Sequence, residues 1–367
     1  MVLAFMRLRW PARWNHEYLP WYIIYLPVVP GLLYHAIRQR SLVFFTNADP
    51  AIDMGGFFGE RKSAIYALLP RGSYPTTLLV DPGTAEHDVR ARIATTDLSF
   101  PLILKPDVGE RGEGVVRVDD EQRLFDVLAI ARRPMLLQQL VAWPYEYGLM
   151  FAKDPRTDRT MLLSITGKRM LSVVGDGQRS VEQLLARIYR GRLQLERLRT
   201  YRHDLLARVP TVDEEVVVEP IGNHCRGTLF FDACALSTPS LERAMDELLA
   251  NAEGLYYGRV DIRAESEEAF RAGRFTVLEL NGVSSEPGHI YDPSYSLLRC
   301  WSELLRHVKY LPPISAALRA KGHEPVRLAD LLRRCETHFG YRIKFLRQLV
   351  ERLSSPSTGQ RSPVPGR

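Results

Sequence analysis

The order of strand-like and helix-like segments is the feature that most limits the folds open to this sequence. Apolar runs typical of strands, such as residues 101–106, 114–119 and 134–141, are mixed with helical patterns, and the two do not alternate strictly. Strict alternation would favour a doubly wound parallel sheet, whereas a mixed order is typical of helices packed against antiparallel sheets. The sequence therefore predicts an α+β fold.

Other segments give expectations for single elements. "SLVFFTNADP" (41–50) is interpreted as a buried strand that ends in a turn, and residues 159–177 as two strands around a Gly-Lys turn. The runs at 256–266 and 273–282 are expected to pair as antiparallel strands. The spacing of apolar residues predicts helices in the segments 120–132, 180–209 and 241–255.

The composition is that of a globular protein: the chain has 367 residues, of which 46% are hydrophobic and 25% charged. Its net charge of +6 suits anionic small molecules, and no nucleic-acid-binding motif is present. The four cysteines form no CxxC pair, which favours a reducing compartment and a cytoplasmic protein. A homo-oligomer is expected.

The segment 18–34 is strongly apolar but is interrupted by Pro20, Pro27 and Pro30. It is too short for a helix that crosses a bilayer, which needs about 20 apolar residues. We expect it to pack on its own domain or on a partner chain. Contact with a membrane surface, which would make the protein peripheral to the membrane, is the alternative.

A lysine followed by glycines stands out in "FPLILKPDVGERGEGVVRV" (100–118). Lys105 ends an apolar run, where an ammonium group needs an anionic partner. Gly109, Gly112 and Gly114 lie in the loop that follows, and backbone N–H groups in such a loop can approach phosphate oxygens closely. Taken alone, the segment is either a glycine-rich hairpin or a loop that binds phosphates.

Three oxygen-bearing side chains lie on the two runs, 256–266 and 273–282, that are expected to pair. Asp261 is on the first run, and Glu279 and Asn281 are two residues apart on the second, so these two point to the same face. Carboxylate and amide oxygens are ligands that Mg²⁺ accepts, with phosphate oxygens completing its coordination. The pattern predicts a Mg²⁺ site, with Mn²⁺ as an alternative ion.

Taken in order, these motifs resemble those of the ATP-grasp ligases. The resemblance covers roughly residues 55–300 and is closest to the D-alanine–D-alanine ligases, while "VVGDGQRSVEQLL" (173–185) is similar to a segment of cyanophycin synthetases. It implies the ATP-grasp fold, in which two α+β lobes grip ATP. It also implies a ligase that joins a carboxylate to an amine through an acylphosphate, with ATP cleaved to ADP and phosphate.

The resemblance also implies roles for individual residues. Lys62 and Lys105 would contact the ATP phosphates, and Gly109 to Gly114 would form the mobile loop over them. Arg259 and Lys105 would stabilise negative charge during phosphoryl transfer. The remaining positions carried over are Gln139 and Val141 near the adenine, Glu146 near the ribose, and the metal ligands Asp261, Glu279 and Asn281.

The substrate is less constrained by the motifs. The sequence after Asn281 departs from that of the D-alanine ligases, so D-alanine is not implied. The expected substrates are a small carboxylate, such as an amino acid, and an amine. Candidate substrate-pocket residues are Ser284, Ser285, His289 and Tyr291. An ATP-binding scaffold or regulator without ligase turnover is the alternative function.

The expected domain organisation follows from the resemblance and the composition. It comprises a shortened N-terminal domain (1–60), a first ATP-grasp lobe with the glycine-rich loop (61–140), a second lobe with the metal site (141–310), C-terminal helices (311–353) and a disordered tail (354–367).

Overall fold

A computed structural model of the chain describes residues 16–109 and 112–334. The prediction of a disordered tail and the C-terminal part of the predicted helices lie outside these residues. The strands are β1 (Thr77–Val80), β2 (Leu102–Pro106), β3 (Val116–Val118), β4 (Met135–Gln139), β5 (Tyr145–Lys153), β6 (Thr160–Arg169), β7 (Leu171–Val174), β8 (Glu215–Glu219), β9 (Leu229–Asp232), β10 (Tyr257–Ala264) and β11 (Thr276–Asn281).

Helices alternate irregularly with strands that pair antiparallel, so the predicted α+β fold is confirmed. The α-helices are α1 (Trp21–Tyr25), α2 (Val29–Arg38), α3 (Lys62–Tyr66), α4 (Glu86–Ala94), α5 (Glu121–Leu128), α6 (Val181–Leu185), α7 (Tyr189–Tyr201), α8 (His203–Ala207), α9 (Pro239–Leu249), α10 (Glu267–Arg271), α11 (Leu297–Val308) and α12 (Leu311–Ala320). Short 3₁₀ helices occupy His16–Tyr18, Leu26–Val28, Phe44–Asn47, Asp53–Gly56, His224–Arg226, Cys234–Leu236 and Gly288–Tyr291.

The chain divides into two compact units. Of the described residues, unit 1 contains 16–75, 141–169 and 229–334, and unit 2 contains the remainder. Unit 1 holds a five-stranded antiparallel sheet in the order β11-β10-β5-β6-β9. Unit 2 holds a four-stranded antiparallel sheet in the order β1-β4-β2-β3 and the separate pair β7-β8.

Strand β10 shows how the sequence builds the larger sheet. Val260, Ile262 and Ala264 alternate along the strand and are fully buried on one face. The residues between them, Arg259 and Asp261 among them, therefore point to the opposite face, because side chains alternate along a strand. One face of β10 is thus apolar core, and the opposite face carries charged groups, followed at the Tyr257 end by a second apolar cluster.

The chain passes from unit 1 into unit 2 at residue 170 and re-enters unit 1 after residue 228, at neighbouring positions of the same sheet. Strand β6 ends at Arg169 and β9 begins at Leu229, and these two residues are a cross-strand pair. The intervening residues belong to unit 2, where β7 and β8 pack with α6, α7 and α8 around an apolar core. The excursion therefore starts and ends at one point of the five-stranded sheet.

The predicted pairs are confirmed: β2 pairs with β3 and β10 pairs with β11, both antiparallel. Two predictions are wrong. The segment 41–50 contains a 3₁₀ helix at Phe44–Asn47 instead of a strand. The predicted turn at Gly167 and Lys168 is absent, because both residues lie inside strand β6. A Cβ at Gly167 would lie 2.2 Å from the ring of Phe231, so only glycine leaves room for that ring to lie across the strand.

The apolar segment 18–34 forms α1, a 3₁₀ turn and most of α2. Ile24 and Val28 are buried against Ile290, Cys300 and Leu304, so the segment packs on unit 1 as expected. Across the part of the chain that the structure describes, every helix is too short or too polar to span a bilayer.

Candidate functional site

A group of charged side chains lies on one face of the five-stranded sheet in unit 1. Register brings them together: Asp261 lies opposite Glu279 and Gly148, and Glu146 lies opposite Arg263 and Lys168. We call this set the charged face. It consists of Glu146, Lys168, Arg259, Asp261, Arg263, Glu279 and Asn281.

Ion pairs link the members of the charged face. Lys168 Nζ lies 2.9 Å from Asp261 Oδ1 and 3.0 Å from Glu146 Oε1. Asp261 Oδ2 accepts from Arg259 Nη2 at 2.9 Å, and Glu146 Oε2 lies 3.0 Å from Arg263 Nη2. Because the side chains of Lys168, Glu146 and Asp261 are only 5–7% exposed, solvent screens these pairs little.

These neighbours keep the groups ionised despite their burial. Burial alone would raise the pKa of Asp261, but the adjacent Arg259 and Lys168 lower it. Burial alone would likewise lower the pKa of Lys168, but Asp261 and Glu146 raise it. The pKa of Arg259 is also raised, because Asp261 outweighs the effect of burial. The charged face therefore holds fixed charges of both signs at neutral pH.

Lys62 begins α3 and reaches β11. Its Nζ lies 3.1 Å from Glu279 Oε1. Burial would lower the pKa of Lys62, but Glu279 and Glu60 raise it, so the ammonium stays charged. The structure thus brings the predicted phosphate lysine next to a predicted metal ligand.

The absence of a side chain at Gly148 leaves space for Asp261 and Arg259. A Cβ at this position would lie 3.0 Å from Asp261 Oδ1 and 3.1 Å from Arg259 Cδ. Any other residue would push against both groups. Sequence reasoning missed Gly148, Lys168 and Arg263, although Arg263 is two residues beyond Asp261 and so had a signal in strand alternation.

At the start of β10, a second buried carboxylate has different surroundings. Asp49 is fully buried, and its Oδ1 accepts from the backbone N–H groups of Tyr256 and Tyr257 at 2.7 and 2.9 Å. Its Oδ2 has no hydrogen-bond partner among the described residues. Burial raises the pKa of Asp49 to about 8, and the two backbone N–H groups offset only part of that effect.

Two predicted metal ligands, Asp261 and Glu279, are paired with cations in the structure. Asn281 Nδ2 lies 3.4 Å from Asp261 Oδ2. Within the described residues, no three Asp, Glu, His or Cys side chains come close enough together to hold a metal by themselves. The donor set fits a Mg²⁺ that takes few protein ligands and several phosphate oxygens, and this role stays a prediction.

In unit 2, Lys105 lies on β2 and is buried. Its Nζ donates to Gln138 Oε1 at 2.8 Å, and Gln138 Nε2 donates to Thr77 Oγ1 at 2.8 Å. The lysine is therefore held in place by the neighbouring strands of the four-stranded sheet. Its contact with ATP phosphates stays a prediction.

The glycine loop follows β2, and Glu110 and Arg111 within it lie outside the described residues. Gly112 and Gly114 have φ angles of 69° and 72°, which favour glycine. Arg226 Nη2 donates to the carbonyl oxygen of Gly112 at 2.7 Å, and a Cβ at Gly112 would lie 2.9 Å from Ile221 Cγ2. Residues 221–226 therefore hold one side of this loop, a contact that the sequence did not indicate.

The residues predicted near the adenine and ribose have protein partners. The side-chain amide of Gln139 bonds with the backbone of Ser99, at 2.9 Å through Oε1. The carbonyl oxygen of Val141 accepts from Arg263 Nη1 at 2.6 Å. Glu146 belongs to the charged face, so a ribose contact would compete with Lys168 and Arg263.

The candidate substrate residues follow Asn281 directly. Ser284 is exposed, and Ser285 Oγ donates to the carbonyl oxygen of Asn281 at 2.7 Å. Tyr291 donates its hydroxyl to the carboxylate of Glu286 at 3.1 Å. His289 is buried, its Nε2 lies 3.3 Å from Glu303 Oε2, and burial lowers its pKa. The four residues thus differ in access, with Ser284 exposed and His289 in the interior.

Neither a protein-family model nor a curated protein matches this sequence. Among solved structures, a bifunctional glutathione synthetase from Pasteurella multocida matches 66% of this chain and 35% of its own, at 17% identity and a TM-score of 0.38. A D-alanine–D-alanine ligase from Bacillus anthracis complexed with ATP matches 77% of this chain and 71% of its own, at 14% identity and a TM-score of 0.40.

A carboxyaminoimidazole ribonucleotide synthase from Aspergillus clavatus complexed with ATP matches 64% of this chain and 47% of its own, at 12% identity and a TM-score of 0.37. This chain thus spans about a third of the glutathione synthetase chain and about half of the synthase chain. The neighbours are ATP-grasp ligases, the group that the sequence motifs resemble. At these identities and TM-scores, the match is a likeness and extends to no residue role.

Proposed function

We propose that this chain is an ATP-dependent ligase that joins a small carboxylate to an amine through an acylphosphate intermediate. The observation that carries the proposal is the charged face, where buried cations and carboxylates interleave on adjacent strands. Such a cluster is matched to MgATP, which brings phosphate anions for the cations and a divalent cation for the carboxylates. Each group would exchange a protein partner for one supplied by the ligand.

The proposed division of roles uses the residues already described. Lys62, Lys168 and Arg259 bind phosphate oxygens and offset the charge that develops when the substrate carboxylate attacks the terminal phosphorus. Asp261, Glu279 and Asn281 would hold Mg²⁺, which when bound withdraws charge from the phosphate oxygens. Lys105 and the glycine loop of unit 2 are proposed to contact ATP phosphates.

The substrate is proposed to be an amino acid or a related small carboxylate, with an amine as the nucleophile. Ser284 and Tyr291 follow the metal-ligand strand and are proposed to contact it. His289 lies in the interior, so it is proposed to act on the pocket through its neighbours.

The test is a screen of carboxylates against amines, measured by phosphate release and by product mass. We expect amine-dependent phosphate release that Glu279→Gln and Lys105→Ala abolish. Glu182→Gln is the matched control, because Glu182 forms an ion pair with Arg199 and is exposed to 37%, against 32% for Glu279. Thermal melts establish that the variants are folded.

Full turnover by both variants would show that these residues do not form the site. Nucleotide binding with no phosphate release across the whole panel would instead favour a scaffold or regulator. A stable phosphorylated product without ligation would favour a kinase that acts on the same carboxylate.

Calorimetry tests the metal part of the proposal separately. Mg²⁺ alone has to displace Arg259 and Lys168 from Asp261, so we expect weak binding of the ion. Mg²⁺ added with ADP brings phosphates for those cations, so we expect clearly tighter binding of the pair. Equal binding of Mg²⁺ with and without ADP would contradict this coupling.

A further inference from the structure

The N-terminal helices of unit 1 carry two apolar stripes where a surface helix normally carries one. Ile24, Val28 and Ala36, spaced at multiples of four, are buried at 0%, 2% and 6% exposure. On the other side, large apolar side chains are 46–78% exposed: Trp21, Tyr22, Leu26, Val29, Leu33, Tyr34 and Ile37. We call this set the N-terminal apolar surface.

Such a surface differs from the outer face of an ordinary amphipathic helix, which carries polar residues. Val29, Leu33 and Ile37 follow one another at intervals of four along α2, so they form one continuous stripe. Single exposed apolar residues are normal, but seven within 17 residues are typical of a surface that binds something.

Within the described residues 16–48, the exposed charge has one sign. This stretch contains two arginines, Arg38 and Arg40, and a single acidic residue, Glu17, which is buried. Arg38 and Arg40 are exposed directly after Ile37. A second copy docked face to face would bring its own arginines against these, so the charge favours a partner with negative charge.

We propose that the N-terminal apolar surface docks on a lipid bilayer that contains anionic lipid. The helices are short, so they lie along the bilayer surface with their apolar side chains inserted. Trp21, Tyr22 and Tyr34 suit the boundary between headgroups and acyl chains, because their rings are apolar bodies with a polar edge. Arg38 and Arg40 contact the lipid phosphates.

Vesicle flotation with the full chain tests the proposal. The vesicles contain phosphatidylcholine alone or mixed with phosphatidylglycerol. We expect the chain to float with the mixed vesicles, and less as ionic strength rises. The double variant Leu33→Glu, Ile37→Glu should bind at least about tenfold more weakly, because burying two apolar side chains in lipid contributes well over the free energy of a tenfold change.

Two further variants provide controls. Val212→Glu changes an apolar residue of unit 2 whose exposed fraction is 67%, close to the 78% of Ile37. This variant should bind the vesicles as well as the unchanged chain does. The variant Arg38→Glu, Arg40→Glu should lose binding to the mixed vesicles specifically. Thermal melts of all variants establish that a loss of binding is not a loss of folding.

Two outcomes would overturn the proposal. One is that the unchanged chain floats with neither vesicle, and the other is that the Leu33→Glu, Ile37→Glu variant floats as well as the Val212→Glu control. If the unchanged chain does not float but forms dimers in solution, which the double variant dissociates, the surface binds a second copy.

Discussion

Asp261 and Asp49 are two buried carboxylates that contact the same strand, β10, in opposite ways. Asp261 projects from the strand and is paired with Arg259 and Lys168, which lower its pKa. Asp49 accepts from the backbone N–H groups of Tyr257, the first residue of the strand, and of Tyr256 before it; it forms no ion pair among the described residues, and burial raises its pKa to about 8. Burial is nearly equal at the two sites, so the cations decide the charge.

The difference separates a site that can exchange partners from one that cannot. At Asp261, a ligand that carries both charge signs can replace Arg259 and Lys168 without leaving a buried charge unpaired. At Asp49, the carboxyl accepts from the backbone N–H groups of Tyr256 and Tyr257, so it ties residue 49 to the start of β10, and it has no paired cation among the described residues for a ligand to replace. The contrast supports the proposed chemistry at the charged face and indicates a structural role for Asp49 at the start of β10.

The largest expected effect follows from removing the cation shared by the charged face. Lys168→Met leaves Asp261 and Glu146 with one arginine each, in surroundings that exclude water. We expect the free energy of unfolding to fall by about 3–5 kcal/mol, measured by chemical denaturation. Lys309→Met, at an exposed lysine of α11's C-terminus, should change it by less than about 0.5 kcal/mol. Equal effects would show that solvent reaches Lys168.

The second prediction concerns pH. The folded state keeps the proton of Asp49 up to about pH 8, whereas the unfolded chain loses it near pH 4, so this group makes stability fall as pH rises between those values. Within this window the contribution is about 1.4 kcal/mol for each pH unit. Asp49→Asn should remove it.

Because other groups also titrate in this range, the measurement is the difference between the unchanged chain and Asp49→Asn. Denaturation curves from about pH 5 to 7 should show the unchanged chain losing stability relative to the variant. Parallel pH profiles would mean that Asp49 is ionised in the folded state, and the contrast with Asp261 would disappear.

The smallest expected effect tests how tightly the side chains around Asp261 are packed. Gly148→Ala places a methyl group against Asp261 and Arg259, so these side chains must shift. We expect a loss of about 1–3 kcal/mol in the free energy of unfolding. Gly31→Ala is the control, because a Cβ there meets no atom within 4 Å, and in α2 it should be neutral or slightly stabilising. A loss at Gly31 as large as at Gly148 would remove the evidence for crowding.

Strand alternation explains what the sequence made predictable. The two runs that carry Asp261 and Glu279 pair antiparallel as predicted, and their register, which the sequence did not predict, makes these two residues cross-strand partners. The 3₁₀ helix at Phe44–Asn47 was not predictable, because a short apolar run has no period that separates strand from helix. There, contacts distant in sequence decide: the side chain of Asn47 bonds to Ser315 and to His323.

Lys168 shows why part of the charged face escaped prediction. A Gly-Lys pair resembles a turn, and only the ring of Phe231, from a strand more than 60 residues later in the chain, makes glycine necessary inside β6. The same holds for Arg226, whose contact with the glycine loop joins segments more than 100 residues apart. Local patterns carry no information on such pairs.

The cross-strand pair of Arg169 and Leu229 has a consequence for engineering. Paired residues of antiparallel strands lie about 5 Å apart, close enough for a two-residue turn to connect them. Residues 170–228 could thus be replaced by such a turn with every strand of the five-stranded sheet retained. The position behaves as an insertion point, where a chain segment can be exchanged while the charged face keeps its own strands.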